Sequence, residues 1–209
     1  GDFLRETLLS LSIDCSNLIS DDKYNTTLAF VSLDEKGDRS FSFYRNHGAD
    51  TRLLPEEVNL ELIKECRIFH FGTLSMTHEP ARSATMKALE YAKAQGKIIS
   101  FDPNYRPLLW DDESMAIKAI KEGLKYANIA KLSLEEAQMI TGKTEPEDCL
   151  KALLAYGLCF AAVTMGPQGC AYATKKSMGA YPPFPANVVD TTGAGDIFWG
   201  TFLFEFLKS

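Results

Sequence analysis

The chain has 209 residues, 45% hydrophobic and 24% charged, which is enough apolar material for one large domain with a sizeable core and too much for a disordered chain. A formal net charge of −6, with no Lys/Arg run or basic stripe, argues against nucleic-acid partners and an anionic membrane surface and favours a small-molecule partner. Five scattered cysteines without a Cys-x-x-Cys pair indicate neither a disulfide framework nor a zinc site and suit a reducing cytoplasm, and no apolar run reaches the length of a membrane span.

Residues 2–11 place Phe3, Leu4, Leu8 and Leu11 on a helical stripe. Segments 26–33 and 39–45 are β-branched, aromatic and alternating, and Asp34, Glu35, Lys36, Gly37 and Asp38 supply turn chemistry between them, which predicts a β-hairpin. A different rhythm follows. Short apolar strands at 67–71, 97–101, 129–132 and 160–164 alternate with helical patterns at 80–95, stopped by Gly96, and at 112–126, with two more helices before the last strand. Repeated βα units of this length predict an α/β fold with a parallel sheet covered by helices on both faces. The hairpin lies outside that rhythm. The expected organisation is therefore an α/β body made of residues 1–25 and 51–209, with residues 26–50 as a separate hairpin beside it. There is no internal repeat or low-complexity tract.

Near the C-terminal end, Asp190-Thr191-Thr192-Gly193-Ala194-Gly195-Asp196 opens an apolar helical run. Unpaired N–H groups at a helix N-terminus attract anions, and glycines let a phosphate approach them. Asp196 in the same turn complements the helix dipole on a structural reading. On a functional one it is a general base beside an anion hole built by Gly193, Ala194 and Gly195. Neither a Walker loop nor the dinucleotide fingerprint fits, because no Lys follows Gly195 and Gly200 comes too late.

This segment resembles the second signature of the ribokinase-like carbohydrate kinases, the PfkB family, whose pattern is Asp-Thr-x-Gly-Ala-Gly-Asp. Residues 190–196 agree with it throughout, while Ile197 stands where the family usually has Ala and Thr201 where a second Gly is common. The resemblance implies a doubly wound, mostly parallel sheet flanked by helices, with a small β-sheet lid formed here by residues 26–50. It also implies transfer of the ATP γ-phosphoryl group to a sugar hydroxyl, with Mg²⁺ on the phosphates. By the same resemblance Asp190 and Thr192 help to build a monovalent-cation site, K⁺ being the candidate ion. On a structural reading they form local hydrogen bonds at a strand end.

Strand C-terminal ends are where such a sheet places its chemistry. After 97–101 comes Asp102-Pro103-Asn104-Tyr105-Arg106, where a turn explains Pro103 and Asn104 but does not require Arg106, whose donor fork suits hydroxyl-rich or phosphorylated ligands. Asp-Pro-Asn-x-Arg-x-x-Leu-Trp resembles the fructokinase branch of the family, which implies that Asn104 and Arg106 face the sugar and phosphate. Ser133 and Glu136 read first as a capping box. Aligned on the family's Asn-x-x-Glu motif, Glu136 also organises Mg²⁺ through water, with Ser133 in place of Asn. Lys131 reads as an exposed or snorkelling lysine, with charge near phosphate as the alternative. Thr164, Gly166 and Gly169 form a glycine turn that any hairpin could use, and in the family such a turn borders the nucleotide. Tyr44 and Arg45 end the hairpin, and the resemblance places them over the sugar. His47 reads as a surface residue, since Asp196 already fills the role of base, and His70 as a strand residue beside the crevice.

The closest resemblance is to fructokinases, with fructose to fructose 6-phosphate as the implied reaction. A 2-keto-3-deoxygluconate kinase or ribokinase shares Asp196 and the glycine turn, and a catalytically silent sugar or nucleotide sensor could keep the fold. A hairpin-mediated homodimer would add to the kinase reading. Without an initial Met, and stopping within the helix after the glycine turn, the chain is expected to be incomplete at both ends. The expected missing parts are the family's upstream sugar-gripping signature and its downstream adenine-walling helices.

Overall fold

The structure is a computed structural model that describes residues 1–33, 39–46 and 48–208. The turn expected at 34–38, and His47, lie outside the described residues. Helix α1 (Asp2–Ser10) forms where the stripe predicts it but buries none of its residues; Phe3 is 76% exposed. Strands β1 (Leu28–Leu33) and β2 (Arg39–Tyr44) pair antiparallel as the expected hairpin, in register Leu28↔Tyr44 to Leu33↔Arg39.

The body begins with α2 (Leu60–Glu65), capped by Asn59, whose side chain accepts the N–H groups of Glu61 and Leu62. Then β3 (Ile68–Phe71), α3 (Ala81–Ala94), β4 (Ile98–Phe101), α4 (Glu113–Leu124), β5 (Ile129–Ser133), α5 (Leu134–Thr141), α6 (Pro146–Leu154) and β6 (Phe160–Thr164) follow in turn. Parallel neighbours need crossovers, and these helices supply them. Strands β3 to β6 run parallel; β7 (Cys170–Thr174) and β8 (Met178–Tyr181) extend the sheet antiparallel in the order β3-β4-β5-β6-β7-β8. Finally α7 (Ala194–Phe206) carries the apolar run after the glycine turn.

Strand alternation sorts the core into two layers. Ile99, Phe101, Ala130, Leu132, Ala161 and Val163 face α3 to α6 and form the main core with Leu89, Ile120, Ile140 and Leu153. On the opposite face Ile129 and Ala162 pack against Trp199 of α7, with Ile98, Phe160, Phe202 and Leu203 around them. Helices thus cover both faces, as the βα rhythm predicts. Helix α4 comes so close to β4 that a Cβ on Gly123 would lie 2.8 Å from the Phe101 ring. Among the described residues no helix is long and apolar enough to cross a membrane, and all five cysteines are free thiols.

A two-stranded ribbon is marginal by itself, and here its base is pinned to the body. Arg45 donates from Nε to Asp50 Oδ2, from Nη1 to Thr77 Oγ1 and from Nη2 to the Leu74 carbonyl, each at 2.8 Å. Burial pushes the Asp50 carboxyl up, but the bonds from Arg45 and Thr27 outweigh it and hold the group below its usual range.

Candidate active site

At the C-terminal end of β4 the chain turns sharply through Asn104, which takes the left-handed conformation at φ 49° and donates its backbone N–H to Asp102 Oδ1. Asn tolerates that region better than most residues. The turn brings the Tyr105 N–H to Glu136 Oε1 at 2.7 Å, while Glu136 Oε2 accepts the Ser133 N–H at 2.8 Å. The capping box of α5 is therefore present, with the Glu136 N–H donating to Ser133 Oγ. Glu136 does more than cap, because it ties the β4 and β5 loops together from a buried position. Burial pushes its carboxyl up, against the pull of its two backbone bonds.

Lys131 corrects the sequence reading of an exposed or snorkelling side chain. It is buried, and its Nζ bonds Asp102 Oδ2 at 2.7 Å, with both side chains less than a tenth exposed. Alternation places Lys131 on the face of the sheet that α7 covers, and a Cβ on Gly195 would lie 2.9 Å from Lys131 Nζ. A buried ammonium thus lies against the first turn of α7. The signal for this was the strand period, which set Lys131 opposite Ala130 and Leu132. Its partner Asp102, on the neighbouring strand's loop, is not visible in local pattern.

The N-terminus of α7 starts at Gly193, in the left-handed region at φ 78°, without a side-chain cap. Before it, Thr192 donates both its N–H and its hydroxyl to Asp190 Oδ1 at 2.8 Å, and the Ala194 N–H donates to the Thr191 carbonyl at 3.1 Å. Asp196 is exposed in the first helical turn, and its charge reaches His70 on β3.

A cavity of about 570 Å³ opens at these strand ends, lined by Asp102, Asn104, Arg106, Lys131, Ser133 and Glu136 among others. Arg106 donates to the Tyr105 carbonyl and lies 5.9 Å from the Phe41 ring of β2, so the hairpin reaches over this loop. These six lining residues, from the segments 102–106 and 131–136, therefore converge, whereas no residue of the glycine turn at 190–196 lines the cavity. The others lie apart. Tyr44 is exposed on the hairpin, and Arg45 faces Leu74 and Thr77. Thr164 donates to the Leu132 carbonyl, Gly166 has φ 53°, and Gly169, at φ 90°, leaves no room for a Cβ, which would lie 2.1 Å from the Tyr181 carbonyl oxygen.

The model of the pfkB family carbohydrate kinases matches residues 1–209. The chain belongs to this family. A curated relative, probable fructokinase-5 of Arabidopsis thaliana, is 41% identical over 204 residues, which is 97% of this chain and 63% of the relative. Among solved structures, the fructokinase of Xylella fastidiosa with bound ATP superposes with a TM-score of 0.90 at 30% identity, covering 100% of this chain and 65% of that one. The fructokinase of Vibrio cholerae O395 in its fructose, ADP and calcium ion bound form gives 0.87 at 31% identity, covering 97% and 65%. The pfkB fold accounts for the mostly parallel sheet with its separate hairpin. The chain spans under two thirds of the length of these pfkB relatives.

Proposed function

We propose that the full-length protein is an ATP-dependent sugar kinase that phosphorylates a primary hydroxyl, with fructose giving fructose 6-phosphate as the preferred reading. The observation that carries it is the first turn of α7. There an uncapped glycine N-terminus, a carboxylate and a buried ammonium come together. Gly193, Ala194 and Gly195 would supply backbone donors to the transferring phosphoryl group, the Ala194 N–H exchanging its bond to the Thr191 carbonyl for one to the phosphoryl oxygen, and Lys131 adds a positive charge from beneath. The sugar hydroxyl oxygen bonds to the γ-phosphorus as the bond to ADP breaks. Asp196 receives the hydroxyl proton. Asn104 and Arg106 orient the sugar and its phosphate at the cavity.

The residues present fit a metal held mainly by phosphates and water. Among the described residues no group of three or more His, Cys, Asp or Glu could hold an ion alone. Glu136 would hold Mg²⁺ through water, the ion supplying charge neutralisation on the phosphates. Asp190 and Thr192 offer oxygens for a monovalent cation near the anion hole. Thr164, Gly166 and Gly169 would border the nucleotide and Tyr44 the sugar, with Arg45 fixing the base of the hairpin. The free cysteines suit a cytoplasmic setting, and exposed Leu28 and Phe30 on β1 offer a surface for homodimerisation through the hairpin. Support for fructose comes from the fructokinases among the relatives and from the Asp102 to Trp110 segment. The test is ADP release by the full-length protein with fructose, ribose and 2-keto-3-deoxygluconate. Fructose is expected to give the highest kcat/KM, and preference for another sugar would overturn that choice.

A further inference from the structure

Trp199 is the one buried residue of α7. It lies three residues after Asp196, on the same side of the helix. Its ring stacks with Phe202 at 4.8 Å and Phe160 at 6.2 Å, and its Nε1–H donates to Ser100 Oγ at 2.8 Å across 99 residues of sequence. Ser100 is fully buried on β4, and its Oγ also lies 3.0 Å from Nδ1 of His70, its registered neighbour on β3.

The indole N–H can only donate, so Ser100 Oγ accepts from Trp199, while its remaining lone pair and its own proton let the contact with His70 Nδ1 run in either direction. When Ser100 gives its proton to Nδ1, His70 is a neutral imidazole with its proton on Nε2. A second proton, placed on Nδ1, would reverse the bond to Ser100 and leave the Ser100 proton without this acceptor. The charged groups facing His70 are Asp102 after β4, Asp196 on α7 and Lys131 on β5. Partial desolvation of the ring outweighs them and holds the imidazole below its ordinary value, although the side chain keeps much of its surface in solvent.

We propose that His70 is a positioning residue for Asp196, acting through Ser100 and Trp199: the neutral imidazole completes the hydrogen-bond chain that seats the first turn of α7 on the sheet, and protonation of His70 loosens that seat. This rests on the reading of Asp196 as the base.

The test has two arms. With three histidines and two tryptophans in the sequence, ¹⁵N spectra of this chain can assign the His70 tautomer and the Trp199 indole N–H. The expected result is Nε2–H His70 at neutral pH and a Trp199 resonance that shifts with the same midpoint as His70. An Nδ1–H tautomer, or a Trp199 resonance that stays fixed while His70 titrates, would overturn the proposal. In the full-length protein, His70→Phe, which removes the acceptor, is expected to lower kcat about tenfold, the worth of one hydrogen bond, with sugar KM little changed. His70→Asn, whose Oδ1 can replace Nδ1 as acceptor, is expected to restore most of that loss and to remove the fall in kcat on acidification that protonation of His70 produces in the unmodified protein. Equal losses in both variants would count against positioning. Near-normal kcat in Asp196→Asn with the resonance coupling intact would count instead against the base.

Discussion

At Gly195 a single methyl group would meet the Lys131 ammonium at 2.9 Å, and that ammonium is held by Asp102. Gly195→Ala is therefore expected to push Lys131 off its partner and lower kcat by about 10²-fold, in the range of losing one anion-hole donor. Steady-state kinetics on the full-length protein checks this; an unchanged kcat would show that the ammonium does not serve the turn. Lys131→Met leaves Asp102 buried and unpaired, which should cost about 3–5 kcal/mol in urea unfolding. Adding Asp102→Asn should recover part of that loss, since the stranded charge is then gone. The position of the glycine turn and Asp196 at the head of α7 was legible in the sequence because they form one contiguous segment before an apolar run. The Lys131–Asp102 pair was not, because a lone lysine in a strand reads the same whether or not a carboxylate waits 29 residues away.

Among the elements, α5 was readable from its ends: Ser133 and Glu136 start it, and Gly142 at φ 68° stops it. The second bond of Glu136, to the Tyr105 N–H, comes from a loop 31 residues away and leaves no local trace. Glu136→Ala removes the acceptor for two backbone donors and should lower stability by about 1–3 kcal/mol for each one left unpaired, read as a fall in Tm. Strand β8 escaped the sequence reading because Met178, Gly179, Ala180 and Tyr181 have no strand period of their own and form a strand through pairing with β7. The chain after β8 fixes one glycine. Gly169→Ala combines a left-handed φ of 90° with a clash at the Tyr181 carbonyl. A cost of at least about 1 kcal/mol is expected in thermal unfolding. The amphipathic stripe of α1 predicted the helix correctly but not its surroundings, because periodicity marks an apolar face without naming what covers it.

Over the whole molecule, two ionisable groups, the buried Glu136 and the solvent-exposed but partly desolvated His70, give stability opposite slopes with pH. His70 lies below its ordinary value of 6.5 in the folded chain, so the unfolded state binds more protons as pH drops below 6.5. Stability is then lost on acidification through the folded value. Glu136 lies above its ordinary 4.5, so the folded state binds more protons between 4.5 and its raised value. Its contribution falls as pH rises through that window. Urea midpoints measured against pH should show the acid-side loss below 6.5 flatten in His70→Asn; an unchanged profile would remove His70 as its source.

The central claim is that Asp196 is the base of a sugar kinase, and a coupled ADP-release assay on the full-length protein with fructose, run beside Asp196→Asn, tests it most directly. The expected result is turnover that falls by about 10²–10⁴ in the variant while sugar binding survives. Near-normal kcat in Asp196→Asn would contradict the account.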